Sequence, residues 1–142
     1  MYLGLYVDDM LIGSESLAEV SRVKEFLKVT FTMVDFGEVS KVLGIRVRRD
    51  MKTNWLFIDQ EQYVEEVLQR FGMEDCKPSM TPLAVGGKLT KQGEGEEKEE
   101  ASGVPYRPAI GSLMYLMVST RPDLATTIRV LCRFLERPMK AH

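Results

Sequence analysis

Tyr2-Leu3-Gly4-Leu5-Tyr6-Val7-Asp8-Asp9-Met10-Leu11-Ile12-Gly13 sets two short apolar runs on either side of a pair of carboxylates. Runs of this length around a polar centre predict a β-hairpin with Asp8-Asp9 at its exposed tip. Outward from it, Ser16-Leu17-Ala18-Glu19 has capping-box spacing, with Ser16 expected to accept the N3 amide and Glu19 to reach back to the cap amide. Val20, Val23, Leu27 and Phe31 follow at helical spacing, with Lys24 and Lys28 elsewhere around the helix.

Beyond that helix, Leu43-Gly44-Ile45-Arg46-Val47-Arg48 alternates apolar and basic residues after Leu43. Asp50 to Asn54 supplies a turn and Trp55 to Ile58 a return strand, so the arginines share one face of a second hairpin. Asp59, with Gln62 three residues on, is expected to cap a helix with the stripe Tyr63, Val67, Leu68 and Phe71. Gly72 ends it, and Pro78 and Pro82 keep the next stretch extended. Residues 86–104 are polar, Gly-rich and acidic, the pattern of a linker. After it, Ile110, Leu113, Met114 and Met117 form one helical stripe and Leu124, Ile128, Leu131, Cys132 and Leu135 another. Pro122 between them suits a helix start. The expected class is α+β: two β-hairpins and an amphipathic helix in 1–58, a helix and extended segment in 59–85, the linker, and a helical hairpin in 105–142.

The formal charge of the 142 residues is −2, but Gln92–Glu100 alone holds five Glu against one Lys. The remainder carries 18 basic and 16 acidic residues, which neither requires nor excludes a phosphate-binding groove. Two cysteines, no signal peptide and no apolar run near 18 residues lead to the expectation of a reduced intracellular compartment, a cytoplasmic particle or the nucleus, and no membrane partner. The single histidine is His142, so a histidine-based metal or triad site is excluded.

Asp8 and Asp9 are the candidate chemistry. Mg²⁺ prefers hard oxygen ligands and takes one or two protein carboxylates, completing its shell with water and phosphate. The same pair is also an ordinary turn sequence. A small phosphatase built on Asp8 is disfavoured, because no phosphate loop lies nearby. Arg46, Arg48 and Arg49 could contact phosphates or form a solvated strand face. Trp55 and Phe57 could stack on bases, but packing in a half-buried hairpin is the expected role. Arg121 and Asp123 are expected to fix the helix start around Pro122.

The chain resembles, from end to end, the C-terminal part of the reverse transcriptase of Ty1/copia-type LTR retrotransposons. The resemblance is carried by Tyr6-Val7-Asp8-Asp9-Met10, Asp35-Phe36-Gly37-Glu38, Leu43-Gly44-Ile45, Gln62-Tyr63-Val64 and Arg70-Phe71-Gly72-Met73. It continues through Cys76-Lys77-Pro78, Thr81-Pro82-Leu83, Tyr106-Arg107, Ile110-Gly111-Ser112-Leu113-Met114-Tyr115-Leu116 and Thr120-Arg121-Pro122-Asp123. It implies a partial palm of an RNA-directed DNA polymerase in residues 1–58, with Asp8 and Asp9 holding Mg²⁺ or Mn²⁺ and with Tyr6 and Val7 beside the primer and nucleotide. Leu43, Gly44 and Ile45 would belong to a primer-grip hairpin, and Arg46 and Arg48 would contact the primer backbone. Residues 59–85 would be thumb-like, and the last helices would lead toward connection and RNase H parts. The implied partners are an RNA or DNA template with a DNA primer, dNTP, and the neighbouring polyprotein segments. Lys41 is a positional candidate for the proton donor.

Phe36 and Val42 replace the family's usual Leu and aromatic residue, and Pro108 stands where a helix-compatible polar residue is common. The first C-terminal helix is therefore expected to start late or kink. No acidic residue precedes Asp8. The further carboxylate of a two-metal site is thus expected from a preceding segment, and the isolated chain is expected to be inactive. The alternative reading is a non-catalytic nucleic-acid-binding or structural remnant of a retrotransposon.

Overall fold

A computed structural model of the chain describes residues 1–83, 89 and 103–139. Nearly all of the expected linker, 86–104, and His142 lie outside them. Two compact units, Met1–Phe57 and Ile58–His142, divide the molecule.

In the first unit, β1 (Tyr2–Tyr6) pairs antiparallel with β2 (Asp9–Gly13), in a register running from Tyr2 opposite Gly13 to Tyr6 opposite Asp9. Helix α1 (Leu17–Thr30) follows. Val20, Val23 and Leu27 are its half-buried stripe, whereas Phe31 falls at the C-cap and is exposed. The capping box does not form. Ser14 rather than Ser16 engages Glu19, donating to its carboxylate at 2.6 Å, and the Ser14 hydroxyl also accepts the Ser16 amide at 3.2 Å. Ser14 precedes the helix and is just as short, so it competes for the same local bonds.

The loop after α1 is tied back by Asp35, which accepts from Lys24 at 2.8 Å, Lys28 at 3.2 Å and the Gly37 amide at 3.0 Å. The Lys24 ammonium first, then the Gly37 amide and Lys28, hold this carboxyl well below the usual range. Gly37 sits at φ 79°, a left-handed value that a glycine adopts without penalty.

Three strands, rather than the two expected, make the next sheet: β3 (Lys41–Val42), β4 (Ile45–Asp50) and β5 (Trp55–Asp59), in that order. Asp50 closes the loop between β4 and β5, accepting from the Lys52 amide at 2.8 Å and the Thr53 hydroxyl at 2.7 Å. Asn54 takes the left-handed residue of that loop at φ 58°.

The second unit holds the core. In α2 (Glu61–Arg70), Val67 is buried while Tyr63, Leu68 and Phe71 are half-buried, as the stripe predicts. Gln60 is the N-cap, and Asp59 accepts the Glu61 amide at 3.3 Å from one position further out. Gly72 at φ 63° ends the helix in a Schellman motif: its amide reaches the Gln69 carbonyl at 3.1 Å, and the Met73 amide that of Leu68 at 2.8 Å.

Helix α3 spans Tyr106–Ser119 and does not start late. Pro108 lies in its first turn, where an N–H would lack an intrahelical partner in any case. Its buried residues are Ile110, Ser112 and Leu116, whereas Met114, expected in the stripe, is exposed. A 3₁₀ turn at Pro122–Leu124 leads into α4 (Ala125–Leu131) and a second 3₁₀ turn at Cys132–Phe134.

The α3 and α4 helices are antiparallel. At the start of α3, the Tyr106 hydroxyl donates to the Leu131 carbonyl at 3.0 Å, and Arg107 Nε to that of Leu135 at 3.1 Å. Helix α2 joins them through a Tyr63–Tyr115 edge-to-face contact at 5.1 Å and a 2.7 Å bond from the Thr120 hydroxyl to Gln60 Oε1. Arg121 and Asp123 form the expected fixture, a forked pair at 2.9 and 2.8 Å.

Candidate functional site

The β1–β2 hairpin turns through Val7 and Asp8 alone, because Tyr6 and Asp9 are its last cross-strand pair. A two-residue loop that matches the twist of its strands needs a positive φ at its first residue. Val7 takes it, at φ 50°. For a β-branched residue this is a strained conformation, costing about 1–3 kcal/mol.

Asp8 is thereby held at the tip, while Asp9, the first residue of β2, shares a sheet face with Tyr6. Both carboxylates are exposed. Two hard oxygen donors on adjacent residues fit Mg²⁺ or Mn²⁺, which draw only one or two carboxylates from a protein. Among the described residues, no group of three His, Cys, Asp or Glu is arranged to hold a metal ion.

The remaining predicted residues lie on the other sheet. Lys41 opposes Arg46 and Val42 opposes Ile45, so Leu43-Gly44 is a second two-residue turn. Both of its residues are left-handed, at φ 50° and 73°, the type I′ pattern. Leu43 therefore sits in a turn with positive φ. Arg46 and Arg48 are exposed, and Ile45 and Val47 are half-buried, the alternation expected of β4. Direct pairing puts Lys41 on the face of Arg46. The Asp8-Asp9 tip and the Lys41, Arg46 and Arg48 row thus belong to separate sheets.

The expectation that Trp55 and Phe57 pack in a core is overturned. Trp55 is 64% and Phe57 48% exposed, and their rings stack on one another at 6.2 Å with 22° between planes. β5 lies at the edge of its sheet, and Leu56 and Ile58 on its other face are exposed as well. Residue types could not have shown this, because aromatic alternation is the same for a covered and an uncovered strand.

The reverse transcriptase (RNA-dependent DNA polymerase) family model matches residues 1–85. The chain belongs to this family. It is 45% identical over 141 residues to the retrovirus-related Pol polyprotein from transposon TNT 1-94 of Nicotiana tabacum, covering 97% of this chain and 11% of that protein. It is 36% identical to an uncharacterized mitochondrial protein of Arabidopsis thaliana, over 99% of this chain and 56% of the relative. To the Pol polyprotein from transposon RE1 of Arabidopsis thaliana it is 30% identical over its whole length, which is 9% of that polyprotein. The chain therefore spans about a tenth of the Pol polyproteins it matches. No solved structure matches it. Among the described residues of this reverse transcriptase family member, no helix is long and apolar enough to cross a membrane.

Proposed function

We propose that this chain is the part of a retrotransposon RNA-directed DNA polymerase that carries Asp8 and Asp9 of the metal site and, on its second sheet, the basic strand β4. The observation that carries the proposal is the tight hairpin that holds both carboxylates at an exposed, strained tip within a family-matched segment. Asp8 and Asp9 would hold Mg²⁺ or Mn²⁺, and the chemistry supplied there is activation of a primer 3′-hydroxyl and charge neutralisation on the leaving pyrophosphate.

The protein's own share is positioning. Val7 and the Tyr6–Asp9 pair fix where the carboxylates stand, and Tyr6 offers its ring on the face of Asp9. Arg46 and Arg48 supply cations for the primer backbone, whose phosphates dominate such affinity. The palm and thumb description of the two units belongs to the same reading. A template with its primer, dNTP and further polyprotein segments complete it.

Because no third carboxylate is grouped with Asp8 and Asp9 among the described residues, the isolated chain is expected to be inactive. Primer extension on poly-rA with oligo-dT tests this: the isolated chain gives no incorporation with Mg²⁺ or Mn²⁺. Metal-dependent incorporation that disappears in Asp8→Ala, Asp9→Ala would overturn the inactivity. Set into a longer reverse transcriptase in place of its own matching segment, the chain supports extension. Extension that survives Asp8→Ala in that setting would overturn the metal-site assignment.

A further inference from the structure

We propose that Arg107, Arg129 and Arg133 form an arginine face on the α3–α4 hairpin that holds phosphates of a double-stranded template–primer. The inference rests on the polymerase reading above and carries its binding surface into the second unit, to residues that the reading does not use.

Every cation between Gly103 and Met139 is an arginine, and the only acids there are Asp123 and Glu136. Arg121 is taken up by Asp123 in the forked pair, and Arg137 has an interaction of its own, so neither is counted with the face. Arg107, Arg129 and Arg133 are exposed, and none has a carboxylate within ion-pair distance among the described residues.

Two of the three are nonetheless held in place, by neutral groups. Arg107 Nε donates to the Leu135 carbonyl at 3.1 Å, which leaves both Nη groups of its fork without a partner among the described residues. The Arg133 guanidinium lies 6.0 Å from the centre of the Phe134 ring, at the outer reach of a cation–π contact, and that ring is itself buried. A carbonyl or a ring orients a guanidinium without neutralising it, whereas a carboxylate does both.

The backbone stays helical from α4 through Cys132 to Leu135, so Arg129 and Arg133, four residues apart, are neighbours on one side of it. The bond from Arg107 to Leu135 brings the third arginine to the C-terminal end of that run. Glu136 follows directly and is exposed, but it makes no ion pair with any of the three. One carboxylate beside three guanidiniums lowers the charge of the face without cancelling it.

The arginine fork matches the paired oxygens of a phosphate. Tyr106 and Tyr115 are half-buried and Phe134 is buried, so the helices offer no open ring for a base to stack on. A backbone whose bases are already paired fits such a face, and a duplex also carries the denser row of phosphates.

The full chain is titrated with a poly-rA/oligo-dT duplex over a range of salt concentrations. With Arg107→Gln, Arg129→Gln and Arg133→Gln combined, the slope of log binding constant against log salt is expected to become shallower by about 0.9 per arginine, about 2.7 in all. Arg129 has no hydrogen bond or ion pair among the described residues, so Arg129→Gln alone keeps every anchor and is expected to remove about 0.9 by itself. Arg121→Gln takes the same charge from within an ion pair and is expected to leave the slope as it is. Circular dichroism checks that each variant folds.

An unchanged slope in Arg129→Gln and the triple variant, or an equal loss in Arg121→Gln, would overturn the arginine face and leave the polymerase reading to its Asp8 test. The same holds if the unaltered chain does not bind the duplex. Poly-glutamate that binds as tightly as the duplex, through the same arginines, would assign the face to an acidic protein segment and overturn the proposal.

Discussion

The two units of this chain treat their apolar side chains in opposite ways. In the second, Val67, Ile110, Leu116, Ile128 and Phe134 are buried together, and polar Gln60 and Ser112 are buried with them. In the first, none of the described residues is buried, and Tyr2, Leu3, Leu5, Tyr6, Phe26, Val29 and Phe36 are all open to solvent. The second unit is held by packing. Local devices shape the first: two-residue turns, an Asx-type loop at Asp50 and a carboxylate tie at Asp35. A two-stranded sheet with uncovered apolar faces is marginal by itself. The unit that bears the candidate chemistry is thus the one with no buried side chain among its described residues.

The sharpest way to break this comparison is to remove one large apolar side chain from each unit. Phe134 is 2% exposed, and Phe134→Ala is expected to cost about 3–5 kcal/mol in denaturant unfolding of the helical unit. Leu5 is 67% exposed, and Leu5→Ala is expected to stay within about 0.5 kcal/mol. Similar costs for the two would mean that the first unit has a core after all.

A smaller effect tests the polar joint between α2 and α3. Gln60 is 4% exposed, its Oε1 accepts from Thr120, and its Nε2 has no partner among the described residues. Thr120→Val strips the one bond from a buried amide and is expected to cost about 1–3 kcal/mol. Gln60→Leu removes the amide altogether and is expected to cost less. If Gln60→Leu proves the worse of the two, the joint is held by more than this bond.

The helical unit was the more legible in sequence, because burial there follows the 3.6-residue period: Tyr63, Val67 and Leu68 on α2, and Ile128 on α4, fall where the pattern puts them. Its misses are matters of phase. Ser112 and Leu116 are buried in place of Met114, since an apolar run such as Leu113 to Met117 points nearly all round the helix. Pro108 misled because its effect depends on which turn it occupies. In the first unit, the hairpin around Asp8-Asp9 was legible from composition, but composition puts its tip one residue late: the turn is Val7-Asp8, and Asp9 opens β2 opposite Tyr6. The turn at Leu43-Gly44 was not legible, because Leu carries no signal for a positive φ and Lys41-Val42 is too short to show alternation. The exposure of Trp55 and Phe57 depends on what covers the sheet, and local pattern holds no information about that.

Smaller again is the strain at Val7. Asn tolerates the left-handed region far better than a β-branched residue. Val7→Asn is therefore expected to stabilise the β1–β2 hairpin by about 1 kcal/mol, read as slower amide exchange in Tyr2–Tyr6. Faster exchange would show that the Val7 side chain supports the turn.

The smallest effect concerns the Asp35 tie, and its sign follows from the direction of the shift. Lys24, the Gly37 amide and Lys28 favour the ionised carboxyl, so its folded value lies below the ordinary one near 4. A depressed carboxylate contributes stability that is complete above its unfolded pKa and is lost as pH falls through the folded one. The tie should therefore hold at neutral pH and weaken only in strong acid. The groups are solvent-exposed, so salt should loosen it as well. The Gly37 amide resonance, followed by NMR, is expected to stay in place down to about pH 4 and shift only below it, and to be displaced at every pH in Asp35→Asn. A shift centred near neutrality would mean that another group orders the loop. The contrast between a packed unit and a locally tied one would then need a different anchor at this turn.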